Sequence, residues 1–228
     1  MMHDLDTRLR LHLRSWLGRW PATELVDVVG SVKRVRPAWD GRIVPLLGVG
    51  SPERVVLSVP PGWTPILRDR VGKAMAGRDR WTDLLPLLPD LLSRPDATVY
   101  SGVYRFCAGP TELPDAGVWV PHDRPEVPEW LRPFGHEVLI AFDPRTGEYL
   151  SGVGIKRHDR YGREIAVGTE PAAQGRGLAR RLVAQAARRI LAEGAIATYQ
   201  HSPTNHASAA VAQAAGFPDE GWRSLATS

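Results

Sequence analysis

The feature that most constrains this chain is a strand-like run that feeds a glycine loop, which opens directly into a helix. Glu164-Ile165-Ala166-Val167-Gly168-Thr169 alternates polar and apolar residues, as a strand with one buried face does. Pro171 ends it, because proline cannot donate to a sheet ladder. Gln174-Gly175-Arg176-Gly177-Leu178-Ala179 then supplies two glycines for a tight turn. Beyond them Leu178, Leu182, Val183, Ala186, Ile190 and Leu191 recur at helical spacing, with Arg181, Gln185, Arg188 and Arg189 on the other side. Unpaired N–H groups and the helix dipole both favour an anion at such a junction, so the run reads as a phosphate-binding device.

Two common phosphate loops do not fit. A Walker loop ends in Gly-Lys-Ser/Thr, and Gly177-Leu178-Ala179 does not supply it. A dinucleotide fingerprint needs a glycine where Arg180 stands and an acidic residue about 20 positions on, and Ile196 to Gln200 holds none. Gln174-x-x-Gly177-x-Ala179 instead resembles the Gln/Arg-x-x-Gly-x-Gly/Ala signature of the GNAT superfamily of acyl-CoA-dependent N-acyltransferases. A second match follows a strand from Ala195 to His201. Asn205-His206-Ala207-Ser208, a short alanine-rich helix and Gly216-Phe217 resemble the Asn-x-x-Ser helix and Gly-Phe of the same superfamily. The resemblance runs from about Val118 to Trp222.

The resemblance implies acetyl-CoA as cofactor and an amine as acceptor. It places the pantetheine arm of CoA along the backbone of Val167, Gly168 and Thr169, at a sheet edge where two strands splay. The pyrophosphate would rest on the N–H groups of Gly175, Arg176, Gly177, Leu178 and Ala179, after Gln174. Arg176 or Arg180 would reach an outer phosphate. Asn205 and Ser208 match positions that line the cofactor from the other side. An amine with a pKa of about 10.4 must lose a proton before it attacks a thioester, so a base is needed, together with an oxyanion donor. The donor would be a backbone N–H near Val167 or Gly168. Glu164 is the first choice of base, because many members place a glutamate at this point of the strand; a plain surface carboxylate is the competing reading. Many members carry a tyrosine acid four residues before the Gly-Phe pair, and here that position is Ala212. Tyr199 and His201 are the candidate substitutes, against the plainer readings of a core tyrosine and a loop histidine.

Composition is that of an ordinary globular protein. Of 228 residues, 43% are apolar and 24% charged, which leaves little room for long disorder. Cys107 is the sole cysteine, so neither an intramolecular disulfide nor a thiolate metal cluster can form, and no metal site is expected. No apolar run reaches the ~20 residues of a membrane helix, and Asp4, Asp6, Arg8 and Arg10 stand where a secretory signal would be apolar. The expectation is a cytoplasmic protein with no membrane partner. The net charge of +4 is interspersed, Lys33-Arg34-Val35-Arg36 being the densest basic run, which argues against a nucleic-acid partner and suits an anionic cofactor.

Ahead of the matched region, Leu5, Leu9, Leu13, Trp16 and Leu17 form a helical stripe. Pro21 is expected to open a second helix that buries Leu25, Val28 and Val29 and ends near Gly30. Ile43 to Val49 and Arg54 to Val59 read as strands, Ile66 to Met75 and Trp81 to Leu92 as helices, and Val99 to Phe106 as a strand. Val118 to Val120 reads as a strand, Pro128 to Phe134 as a short helix, and Glu137 to Phe142 with Glu148 to Lys156 as a hairpin. The expected fold class is α/β (α+β), a GNAT-type mixed, mostly antiparallel sheet flanked by helices. A domain of residues 1–94, lacking any motif and compatible with a degenerate GNAT-like half, would precede an acetyltransferase domain of residues 95–228. The function implied is transfer of an acetyl group from acetyl-CoA to a primary amine of a small molecule or protein by direct attack. The alternative is a non-catalytic acyl-CoA-binding module that engages a protein partner. A homodimer is compatible with either.

Overall fold

A computed structural model describes residues 2–227. Its strands are β1 (Val26–Gly30), β2 (Leu47–Gly50), β3 (Val55–Val59), β4 (Val99–Phe106), β5 (Val118–Pro121), β6 (Glu137–Phe142), β7 (Tyr149–Arg157), β8 (Gly162–Thr169), β9 (Ile196–His201) and β10 (Arg223–Thr227). Its α-helices are α1 (Met2–Leu17), α2 (Thr64–Met75), α3 (Leu88–Leu91), α4 (Leu178–Ala192) and α5 (His206–Ala214). The class is mixed α+β, with mostly antiparallel strands flanked by helices. The chain divides into two compact units. One holds the residues up to Leu9 and Arg105–Pro218, the other Arg10–Tyr104 and the segment from Asp219 on.

In the unit that carries the glycine loop, the strands run in the order β9-β8-β7-β6-β5. β5 to β8 are antiparallel neighbours, while β8 and β9 are parallel. α4 packs on one face: its apolar stripe, Leu182, Val183, Ala186, Ala187 and Ile190, is buried against Val153, Ile155, Ile165, Ala197 and Tyr199. Each such leucine or isoleucine taken out of water contributes roughly 1.5–3 kcal/mol, which fixes the helix on the sheet. A 3-10 helix over Glu129–Phe134 buries Leu131 with Val120, Val138 and Ile140 in a second cluster. The expected helix at Pro128 to Phe134 is therefore present in the tighter form, with Pro133 inside it.

The feature that positions the site is where β8 and β9 stop pairing. Their register runs from Gly162↔Ile196 to Ile165↔Tyr199 and ends there, whereas β8 stays paired with β7 as far as Ser151↔Thr169. Residues 166–169 therefore have a neighbouring strand on one side only. Direction follows from strand alternation. Ile196 N–H bonds Tyr161 C=O, so the odd-numbered residues of β8 turn their backbone groups toward β9. Glu170 N–H bonds Leu150 C=O, so the even-numbered ones face β7. Val167 and Thr169 thus present their N–H and C=O to the gap, and Gly168 presents its own to β7.

The other unit has the strand order β1-β3-β2-β10-β4. Three expectations are corrected here. Val26–Gly30 is a strand, not the body of a helix opened by Pro21. Its β-branched valines pair in parallel with β3 from Val26↔Val55 to Gly30↔Val59, and tertiary pairing overrides the helical spacing. The strand expected at Ile43 to Val49 is confined to Leu47–Gly50, since Pro45 interrupts it and Ile43 is 54% exposed. Trp81 to Leu92 is a 3-10 segment, Trp81–Leu87, followed by the single turn α3, because Pro86 and Pro89 each remove an N–H donor. Leu67 and Val71 of α2 pack with Val28, Leu57, Trp81, Leu84 and Leu225. A Cβ on Gly50 would lie 2.5 Å from the Trp81 ring, whose Nε1–H donates to Ser51 C=O. The parallel strands β1 and β3 remain paired to their ends, so no gap of the β8–β9 kind opens between them.

Candidate cofactor site

A cleft of about 580 Å³ lies where β8 and β9 part. One wall is the end of β8, Val167 and Thr169. The floor is the loop and first turn of α4: Ala173, Gln174, Gly175, Gly177, Leu178, Ala179 and Arg180. The far wall is Tyr199 and one face of α5, with Asn205, Ala207, Ser208, Ala210, Val211 and Ala214.

The loop takes its shape from two left-handed residues, Gly175 at φ 74° and Gly177 at φ 73°. An L side chain at either is strained, which is why the turn needs glycine. Gly177 is the N-cap of α4 and uses no side chain to satisfy the first-turn N–H groups. Those donors are left for a ligand. The Arg180 guanidinium lies over Gly177, its Nε 3.0 Å from where a Cβ would be. Arg176 is exposed and outside the cleft lining, beside Asp143, whose carboxyl is lowered first by the Arg145 and Thr146 backbone N–H groups.

α5 is aimed by its own cap. The Asn205 Oδ1 accepts the Ser208 backbone N–H at 2.9 Å, so the Asn-x-x-Ser spacing is an N-cap reaching the third helical residue. The Ser208 hydroxyl remains for other work and lies 2.8 Å from the Tyr199 hydroxyl. Burial raises the Tyr199 phenol above its ordinary value, against the opposing Ser208 hydrogen bond and Arg105 charge.

Gly168 has a supporting part. Its C=O accepts from the Tyr149 hydroxyl at 3.2 Å and from the Ser151 hydroxyl at 2.9 Å. Trp130 covers it so closely that a Cβ would lie 2.7 Å from the indole. Burial pushes Tyr149 up to about 12 despite the opposing Trp130 hydrogen bond, so it remains a donor. Of the two oxyanion candidates named from the sequence, Val167 faces the gap and Gly168 faces β7.

Glu164 is 3% exposed, opposite Lys156 on β7 and Thr198 on β9. Lys156 Nζ donates to its Oε1; His158 Nε2, at 3.0 Å, and Gln200 Nε2 meet its Oε2. Burial would raise this carboxyl, but the His158 hydrogen bond, the charges of Lys156 and His158, and the Lys156 hydrogen bond outweigh it and hold it at about 2. Glu164 is thus an interior anion rather than a surface carboxylate, and it is not part of the cleft lining.

His201 is buried at the end of β9 and is not part of the lining either. Arg105 Nε donates to its Nε2 at 3.0 Å, and its Nδ1 lies 2.8 Å from Ser202 C=O. Of the residues assigned from the sequence, the structure therefore gathers Val167, Thr169, Gln174, Gly175, Gly177, Leu178, Ala179, Arg180, Tyr199, Asn205 and Ser208 around one cleft. Gly168, Arg176, Glu164 and His201 stand outside it. Ala207, Ala210, Val211 and Ala214 line it without having been singled out. Their i, i+3, i+4, i+7 spacing was the available signal.

The site suits a long ligand with a phosphate end and an amide-bearing arm. Free N–H groups and Arg180 serve the first, unpaired strand backbone serves the second, and a wall of alanines allows close approach. Among the described residues no group of three or more His, Cys, Asp or Glu side chains is placed to hold a metal ion, and no helix is long and apolar enough to cross a membrane.

The match to a family model agrees with this geometry. Residues 106–217 match the model of the acetyltransferase (GNAT) family. No curated protein sequence matches the chain. Among solved structures, a GCN5-related N-acetyltransferase-like protein from Streptococcus suis is 16% identical, with a TM-score of 0.48, over 98% of this chain and 100% of that one. A GCN5-related N-acetyltransferase from Kribbella flavida is 16% identical, with a TM-score of 0.48, over 96% and 93%. A GNAT-family protein from Novosphingobium aromaticivorans is 19% identical, with a TM-score of 0.48, over 57% of this chain; the match spans 64% of that protein's length.

Proposed function

We propose, on the premise that residues 106–217 are a GNAT acetyltransferase domain, that the protein is an N-acetyltransferase that moves an acetyl group from acetyl-CoA to a primary amine. The observation that carries this reading is the gap beyond Ile165↔Tyr199, with the backbone of Val167 and Thr169 on one side and the glycine loop at its end. Bound acetyl-CoA supplies the activated thioester. The chain's own residues do the rest. Gly175, Gly177, Leu178 and Ala179 offer N–H groups to the pyrophosphate, and Arg180 adds a charge-assisted contact. Val167 and Thr169 pair with the arm as an added strand would. The Val167 N–H is placed to meet negative charge that develops on the acyl oxygen.

Proton removal from the amine turns on Glu164 in this reading. A carboxylate held at about 2 does not retain a proton. Its part is to keep a fixed negative charge, paired with Lys156 and held by His158 and Gln200, which favours a proton leaving through water. The acceptor is a primary amine of a small molecule or protein, met in the cytoplasm. The unit spanning Arg10–Tyr104 takes no CoA, as its parallel strands leave no gap.

Thiol release from acetyl-CoA against a panel of amines tests the reading, with Glu164→Gln in parallel. Release with some amine, reduced at least about tenfold by the substitution at saturating acetyl-CoA, supports the transferase and the role of Glu164. Release unaffected by the substitution retains the transferase and removes Glu164 from the chemistry. Tight CoA binding without release across the panel favours a non-catalytic acyl-CoA-binding module instead.

A further inference from the structure

Tyr199 and Ser208 both line the cleft, and their hydroxyl oxygens are 2.8 Å apart. Tyr199 sits opposite Ile165, the last pair before β8 and β9 part, which places its strand position at the apex of the gap. Its ring is 2% exposed and packs 5.9 Å from Phe217, whereas Ser208 is partly exposed. The serine is therefore the front of the pair and the phenol its backing. A phenol is far more acidic than an alcohol and is the better donor of the two, so the Tyr199 O–H is directed to Ser208 Oγ. That leaves the Ser208 hydrogen for the cleft. α5 offers no alternative hydroxyl at Ala212, which is fully buried among Tyr199, Ala215 and Phe217.

We propose that Ser208, backed by Tyr199, is the hydrogen-bond donor that receives the departing thiolate during acetyl transfer. This rests on the acetyltransferase reading above and adds a residue to it. As the amine nitrogen bonds to the acyl carbon, the carbon–sulfur bond breaks and its electron pair stays on sulfur. Ser208 donates its O–H to that sulfur, and Tyr199 donates to Ser208, so negative charge is spread over two hydroxyls at the apex of the gap. The proton given up by the amine, passed through water, then neutralises the thiolate.

The pair can be read without turnover, from the ultraviolet absorbance of the thiolate of CoA bound to the full-length protein, followed against pH. A donor to the thiolate favours its charged form, so the bound thiol titrates below free CoA, and removing the donor raises the midpoint. Ser208→Ala is expected to raise it by at least about one pH unit, a tenfold loss of acidity, and Tyr199→Phe by less. Ser208→Thr, which keeps a hydroxyl, restores it. Both damaging variants preserve the fold. The Asn205 cap uses the backbone N–H of residue 208, and phenylalanine retains the ring packing. Thiol release with an accepted amine falls at least about tenfold in Ser208→Ala, while CoA affinity changes less than about threefold. An unchanged midpoint in both variants with CoA bound overturns the pair and leaves the transferase reading standing. Failure of the unaltered protein to bind CoA overturns both.

Discussion

Arg105 donates from Nε to Nε2 of His201 across 3.0 Å, so the imidazole carries its hydrogen on Nδ1 and directs it to Ser202 C=O at 2.8 Å. The same guanidinium donates from Nη1 to Phe217 C=O at 3.0 Å and to Gln213 Oε1 at 3.3 Å. It thereby ties the end of β9 to the end of α5, the two elements that carry Tyr199 and Ser208.

His201→Ala accordingly removes an acceptor that a buried arginine depends on. Losing that hydrogen bond costs roughly 1–3 kcal/mol. Thermal denaturation is expected to show a Tm several degrees lower, while the acetyl-transfer rate below the transition stays within about threefold, because the imidazole does not reach the cleft. A rate loss larger than the stability loss would return His201 to the chemistry.

The Glu164 network makes stability sensitive to acid. The folded-state value of about 2 lies below the ordinary 4.5, so the ionised carboxylate stabilises the fold above about pH 4.5, and that contribution is lost as pH falls toward 2. Its size is roughly 3 kcal/mol. Denaturant titrations from pH 7 to pH 2.5 or so should show this loss, and in Glu164→Gln the protein should be less stable at neutral pH with a flatter acid limb. An acid limb of the original steepness in the variant would assign the loss to other carboxylates.

Arg180 and Arg176 flank the same loop, but Arg180 alone of the two lines the cleft. Arg180→Ala should weaken CoA binding about five- to tenfold and reduce its salt dependence, and Arg176→Ala should change it less than about twofold. Calorimetric titration at two ionic strengths separates them. Equal losses would show that charge near the loop matters and position does not.

Gly177 carries the left-handed turn that opens α4. Gly177→Val puts a β-branched residue at φ 73°, which costs on the order of 1–2 kcal/mol and displaces Arg180 from above the loop. CoA affinity should fall at least about tenfold, more than the change in Tm alone accounts for.

Gly50→Ala tests the other unit. The added Cβ would meet the Trp81 ring at 2.5 Å, an overpacking of about 1–3 kcal/mol. Loss of stability with CoA affinity retained would show that this unit supports the protein without contributing to the cofactor cleft.

Much of the candidate site is legible as local sequence. Gly175 and Gly177 mark a turn that only glycine makes without strain, and the Leu182 to Ile190 stripe marks the helix it opens. Asn205-x-x-Ser208 is a cap, a local hydrogen bond three residues long, and so is visible as spacing. What misled was spacing that two structures share. Val28 and Val29 suit the buried face of a helix as well as a strand, and parallel pairing with Val55–Val59 decided between them.

From its sequence alone, the chain determines everything that depends on neighbours within a few residues: the glycine loop, the α4 stripe, the α5 cap and the alternation of β8. Backbone conformation and helix capping are local forces, so local sequence encodes them. Tertiary structure alone decides where β8 and β9 cease to pair, that Val167 rather than Gly168 turns its N–H into the gap, and which charged groups meet. Glu164 could be read as an open carboxylate until Lys156 of β7, His158 of the turn that follows it and Gln200 of β9 closed on it. Burial and charge pairing are sums over residues distant in sequence, and no spacing records them.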